Sequence, residues 1–222
     1  MKRLLALAPV ATAIATVLAF AVPAHAAITV YTDQASFLAA VQGQATDSFD
    51  DLTPSDPSDP SSYLPPLLRS VGAYGYTVSA VGQLSVIANP GMGADRWISV
   101  NEWPNPIVIN TFTGDVAAAG MFLFATDLSG NVISAEVMAT VTDSLGATFE
   151  WSLTPSSAGN FVGFVSTGLL TSVTVNSSFG GGAPFVTIND LTLAAPIPEP
   201  GTWALLLAGL GVVGSLARRR LA

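Results

Sequence analysis

Along residues 134–142 the chain alternates strictly, with Ala135, Val137, Ala139 and Val141 in one phase and Glu136, Met138, Thr140 and Thr142 in the other. Successive side chains on an extended chain point to opposite faces, so this pattern makes a strand with one buried and one solvated face. A helix would need its apolar residues every three to four positions. Asp143-Ser144-Leu145-Gly146 then supplies turn residues, and Phe149, Trp151 and Leu153 alternate with Thr148, Glu150 and Ser152 on the way back. The unit is a β-hairpin, and its apolar face has to be buried against a second layer.

The same period recurs on both sides. Tyr74, Tyr76 and Val78 alternate with Gly75 and Thr77, residues 97–100 and 107–112 are β-rich, and residues 120–125 are apolar in both phases, as in a central strand. Residues 161–165, 170–175 and 186–193 follow. In the last, the apolar phase shifts from Val186 and Ile188 to Leu191 and Leu193, which predicts a bulge at Asn189-Asp190. About eight to ten short strands at this turn spacing predict an all-β fold, a single β-sandwich of jelly-roll kind, with a closed barrel as the alternative. One short helix is expected near the start. After a strand at residues 28–31, Thr32 or Asp33 can cap a helix on which Phe37, Ala40 and Val41 share a face. Residues 53–66, with five prolines, and the run Gly180-Gly181-Gly182 read as irregular segments.

Only 10% of the 222 residues are charged while half are hydrophobic, and the excess sits at the two ends. Met1-Lys2-Arg3, an apolar run from Leu4 to Val22 and the small-x-small site Ala24-His25-Ala26 have the form of a secretory signal peptide, residues 1–26, cleaved after Ala26. A retained membrane anchor is the alternative. Export leaves a domain, residues 27–195, with very restricted chemistry. Between Ala27 and Ile197 there is no histidine, cysteine or lysine, and fourteen acids against two bases, Arg69 and Arg96, leave a net charge of -12. Such a surface repels nucleic acid, and the usual zinc sites and the Ser-His-Asp, Cys-His and lysine nucleophile schemes lack their members.

The C-terminal residues 196–222 form a third region. Pro196, Pro198 and Pro200 keep the segment around Glu199 extended, Trp203 suits a membrane interface, residues 204–217 make an apolar helix, and Arg218, Arg219 and Arg220 hold its far end in the cytoplasm. From Trp203 to Ala217 the helix would be about 22 Å long, short of the roughly 30 Å hydrocarbon core, which suits a temporary anchor.

In this order the tail resembles the PEP-CTERM sorting domain of Gram-negative bacteria, also filed as an ice-binding protein C-terminal domain. Pro198, Glu199 and Pro200 match the motif, and the apolar helix and basic end follow in order. The resemblance implies an exosortase, an integral-membrane cysteine peptidase, as partner, brief residence in the inner membrane, and a destination at the cell surface or in an exopolysaccharide and biofilm matrix. The ice-binding label implies no function here, since the sequence shows no regular threonine ladder.

Within the domain three further candidates are weighed. Asp127, Ser129 and Asn131 place oxygens at alternate positions around Gly130, as calcium loops do, but a plain turn explains them as well; Asp190, with Asn189, could join Asp50-Asp51 in a calcium site if the first and last strands pair. Trp97 and Trp103 bracket Glu102 and could stack on a sugar, with core packing as the competing role. Asp95 and Glu102 could form a glycosidase pair if they faced one another. The reading favoured by the missing residue types is a cell-envelope or extracellular-matrix protein without catalytic activity. A calcium-stabilised carbohydrate-binding module is the alternative.

Overall fold

The computed structural model describes residues 27–53, 63–88, 95–178, 183–197, 206–211, 213–214 and 218. Of the expected irregular segments, residues 54–62 within 53–66 and all of Gly180-Gly181-Gly182 lie outside them, as do residues 1–26.

Two antiparallel sheets face each other. The first has the order β1 (Ile28–Tyr31), β12 (Phe161–Ser166), β8 (Ala118–Thr126), β14 (Phe185–Pro196), β6 (Arg96–Val100) and β5 (Leu84–Ala88). Two more strands join it, β2 (Val41–Asp47) on β14 and β9 (Val132–Ile133) on β8. The second sheet runs β11 (Thr148–Leu153), β10 (Glu136–Asp143), β13 (Leu170–Ser178), β7 (Ile107–Thr113), β4 (Tyr74–Ala80) and β3 (Leu67–Val71). The β-sandwich is thus as expected, with more strands than the pattern predicted. The predicted hairpin is β10–β11, with Val141 opposite Phe149. Its first strand starts later than the alternation implied, because Val132 and Ile133 pair with β8 in the first sheet and the chain crosses between sheets at Ser134-Ala135.

The inner faces meet in one continuous core that includes Tyr76, Val78, Ile98, Ile109, Leu123, Val137, Val141, Phe164, Val173, Ile188 and Leu191. Burial of this apolar area is the main force closing the sandwich. Polar anchors join the sheets on opposite sides. Asp47 at the end of β2 accepts from Arg69 Nε (2.9 Å) and Nη2 (2.6 Å) on β3 and from the Tyr76 hydroxyl (2.6 Å) on β4. On the other side the Ser166 hydroxyl donates to Asp143 Oδ2 at 2.5 Å, and the backbone N–H groups of Leu145 and Ala147 cap the same carboxylate. Burial raises the pKa of Asp143, but these donors outweigh it and hold the group below the usual carboxylate range.

A helix, α1 (Gln34–Ala39), lies on the outer face of the first sheet. Asp33 caps it, accepting from the Ser36 backbone N–H at 2.8 Å. The helix ends two residues before its apolar spacing suggested: Ala40 caps it and Val41 opens β2, because the backbone of residues 41–47 pairs with β14. Phe37 is fully buried in a second, smaller cluster with Val41, Ala118, Phe161 and Ala194. Its socket is a pair of glycines opposite each other on β8 and β12, Gly120 and Gly163. A Cβ on Gly163 would lie 2.4 Å from the Phe37 ring, and one on Gly120 would lie 2.6 Å from Phe161 and 2.8 Å from Phe37. Farther along the same face Trp97 packs edge-on against Phe124 with centroids 4.8 Å apart. Both faces of β8 are therefore covered, which is why its sequence is apolar in both phases.

The long strand β14 carries two neighbours on one edge. Thr187 and Ile188 pair with β6, and residues from Leu191 onward pair with β2. The predicted bulge falls between them: the register with β8 shifts between Asn189 and Thr192, and Asp190 has φ of +50°. Register also places the two ends of the sandwich's own sequence, Ala27 and Ile197. Ile28 pairs with Ser166, Val165 with Ala118, and Ala118 with Ala194. Ala27 and Ile197 therefore leave from the same end of the first sheet, three strand spacings or roughly 14 Å apart.

Candidate functional site

The tail is positioned by β14. Pro196 is its last residue, the Pro196 carbonyl accepts from Gln42 Nε2 at 3.2 Å, and the Ile197 N–H donates to the Ala40 carbonyl. The sorting residues Pro198, Glu199 and Pro200, together with Trp203, Arg219 and Arg220, lie outside the described residues, as do Ala24 and Ala26 of the signal site. Leu206 to Gly211, Val213, Gly214 and Arg218 are helical and exposed. Among the described residues no helix is long and apolar enough to cross a membrane.

The acidic candidates separate into two places. Asp127 closes a turn after β8: its Oδ1 accepts from the N–H groups of Ser129 (2.8 Å) and Asn131 (2.9 Å), and its Oδ2 from Asn131 Nδ2 (3.0 Å). The Asn131 side chain, then its backbone, holds the Asp127 pKa below its ordinary value. Both oxygens serve the turn, and Gly130, at φ of +79°, completes it. Asp190 is elsewhere. Phe185 sits opposite Thr126 while Asn189 sits opposite Phe122, so Asp127 and Asp190 are separated by about five strand positions, roughly 16 Å. The structure thus does not join Asp127, Ser129 and Asn131 to Asp190.

Asp190 meets Asp50 and Asp95 instead, at the seam where β2 ends and β6 begins. The first strand, β1, pairs with β12 and not with the last strand; it is β2, the strand before Asp50, that pairs with β14, with Asp47 opposite Leu191. Asp50 Oδ1 accepts from the Arg96 N–H (3.0 Å), and Asp95 accepts from Asn189 Nδ2 (3.0 Å) and from the Trp97 indole N–H (3.0 Å). Burial, then the charges of Asp95 and Asp50, push the Asp190 pKa up. Among the described residues no group of three or more acids is arranged to hold a metal ion.

The tryptophan pair is not a platform. Trp97 is 3% exposed, its ring is packed on Phe124 and its N–H is bonded to Asp95, so it offers no face to a sugar. Trp103 is half-buried in the loop after β6. Asp95 precedes β6 and Glu102 follows it, roughly 23 Å apart along an extended chain, whereas glycosidase pairs stand about 5 to 9.5 Å apart.

A different feature stands out on the outer face of the second sheet. A groove of about 530 Å³ is lined by Met138 and Thr140 of β10, Glu150 and Ser152 of β11, and Thr174 and Asn176 of β13, with Pro106 at its side. Register brings these together: Met138 faces Ser152 and Asn176, and Thr140 faces Glu150 and Thr174. No sequence signal marked it. Each strand showed its solvated phase, but the neighbours that turn three polar faces into one surface are set by pairing.

Residues 196–220 match the PEP-CTERM protein-sorting motif. No curated protein matches the chain. Among solved structures, one variant of CBM29-2, a family 29 carbohydrate-binding module, is 12% identical over 79% of this chain and 99% of its own, with a TM-score of 0.36. A second variant is 14% identical over 56% and 88%, with a TM-score of 0.35. The motif implies an exported protein that an exosortase sorts to the cell surface or extracellular space.

Proposed function

We propose that this chain is a non-enzymatic β-sandwich delivered to the cell surface or exopolysaccharide matrix by a tail that holds it briefly in the inner membrane and is then cut near Pro198-Glu199-Pro200. The observation that carries this reading is the junction of fold and tail: the last strand ends at Pro196, where the sorting motif begins. Ala27, the residue that signal cleavage would leave first, emerges from the same end of the sandwich as Ile197. A domain built this way can stand on one membrane surface during export and sorting without unfolding either edge. The lack of histidine, cysteine and lysine between Ala27 and Ile197 supports a role other than nucleophilic or zinc catalysis.

Replacing Pro198, Glu199 and Pro200 together with alanine keeps the apolar helix and removes the extended, charged motif. In a host with an exosortase the variant is expected to accumulate uncut in the membrane fraction, while the parent is processed and leaves it. Equal processing of the two would make the tail a plain anchor.

A further inference from the structure

Among the described residues, hydroxyl groups with no partner in the protein occur in several places, Ser70, Ser79 and Ser172 of the second sheet among them, but others are paired. On the first sheet they pair with one another: Thr46 with Thr192 at 2.8 Å, Thr126 with Thr187 at 3.0 Å, and Thr187 with Ser99 at 3.0 Å. On the outer face of the second sheet, outside the groove, Thr77 donates to Asn110 Oδ1 at 2.6 Å and Thr142 lies 3.4 Å from Thr148. Inside the groove the unpartnered groups are gathered together. Among the described residues the side chains of Thr140, Glu150, Ser152 and Thr174 have no hydrogen-bond partner in the protein, although all four converge on one depression.

We propose that this groove binds a neutral polysaccharide chain laid across β11, β10 and β13. Three properties of the site select that ligand. Its size falls in the range of about 300 to 1,000 Å³ usual for small-ligand sites. Its chemistry is three hydroxyls, an amide and one carboxylate, beside the apolar surfaces of Met138 and Pro106. That mixture suits a sugar ring, which presents hydroxyls at its edge and C–H groups on its faces. Its charge excludes the alternatives: the groove holds no cation for an anionic glycan, and the surrounding domain carries a net charge of -12 that repels one. A peptide laid along the floor of the groove would gain no main-chain pairing from β10 or β13, because β10 is paired with both β11 and β13, and β13 also with β7; of the three strands only β11 keeps an open edge.

The placement fits as well. Asp143 of β10 contacts Ser166 at the end of the sandwich where Ala27 and Ile197 lie, and Met138 lies five strand positions, roughly 17 Å, farther on. The groove therefore sits away from the membrane-directed end. The proposal rests on the matrix reading in that the matrix supplies the glycan, but binding can be measured without any sorting step.

The test is native affinity electrophoresis of the full chain in detergent. Gels contain a soluble β-glucan, a galactomannan, the neutral polysaccharide fraction of the producing cell's own matrix, or polygalacturonate as the anionic comparator. At least one neutral glycan should retard the protein and polygalacturonate should not. The double variant Thr140→Val, Thr174→Val keeps shape and strand preference and should weaken retention at least fivefold; Ser152→Ala, on the edge strand β11, should weaken it about threefold, as expected for loss of one hydrogen bond. Ser70→Ala, on β3 of the same sheet and outside the groove, should leave it unchanged. If the valine pair proves unfolded by its melting transition, the Ser152→Ala arm decides alone. Absence of retention on all three neutral glycans, equal retention on polygalacturonate, or retention indifferent to the groove variants would each overturn the proposal. Loss of exosortase processing would leave every one of these readings unchanged.

Discussion

The outer faces of the two sheets both carry hydroxyl groups and treat them in opposite ways. On the first sheet the outer face is covered: α1 seats Phe37 in the Gly120–Gly163 socket, Trp97 lies on Phe124, and Ser99, Thr126 and Thr187 are fully buried in mutual hydrogen bonds. On the second sheet, among the described residues, no element crosses Thr140, Thr174 and Glu150, and the half-buried hydroxyls there have no partner in the protein. Buried polar groups must be paired or they cost stability, whereas solvated ones are satisfied by water and remain available to a ligand. The first face serves folding. The second is where binding can be added without structural cost.

Substitutions should separate the two. The largest effect is expected at Phe37→Ala, which removes the helix's only buried side chain and should cost about 3 to 5 kcal/mol in urea unfolding. A loss under about 1 kcal/mol would mean that α1 is not the lid of the first sheet. Next comes Gly163→Ala, whose new methyl would press into the Phe37 ring and should cost about 1 to 3 kcal/mol. In the Phe37→Ala background only the contact with the Phe161 ring at 3.0 Å is left, so most of the cost should vanish. Additive costs would break the socket account.

A smaller effect is tied to pH at the seam of the first sheet. Asp190 is pushed above its ordinary pKa by burial and then by Asp95 and Asp50, so the folded state binds its proton more tightly than the unfolded chain. That contribution is present below the unfolded carboxylate pKa and is lost as pH rises through the folded one. Asp190→Asn, which also tolerates the positive φ, should therefore raise stability near pH 7 by less than about 1 kcal/mol, given its partial exposure, and should lose that advantage in acid. A gain that is the same at pH 3 and pH 7 would point to packing instead. The smallest effect is expected on the open face: Thr140→Val should change stability by no more than about 0.5 kcal/mol. A larger loss would show that the groove is part of the structural core.

Much of this arrangement is legible in the sequence where one strand contains its own evidence. The alternation at residues 136–143 and 148–153, the two-sided apolar run of β8, the cap at Asp33 and the phase shift at Asn189-Asp190 each reflect a local geometry. What is not legible depends on pairing. Strand β2 reads Val-Gln-Gly-Gln-Ala-Thr-Asp, with little apolar pattern, and is a strand because β14 offers it an edge. Arg69, one of two bases in the domain, was a visible oddity, but its partners Asp47 and Asp51 come from a different sheet and a loop. Core packing is the default for Trp97 in a sandwich, but the acids beside it also allowed a sugar platform until Asp95 is seen bonded to its indole. The groove needs three strands in register, and a single sequence does not contain register.

The central claim concerns the ends of the chain, and intact mass of the protein recovered from the surface of its producing cell tests it most directly. Loss of residues 1–26 and of everything beyond the Pro198-Glu199-Pro200 region is predicted, leaving the β-sandwich with β14 as its last element. Surface protein that still ends in Arg218-Arg219-Arg220-Leu221-Ala222 would contradict it.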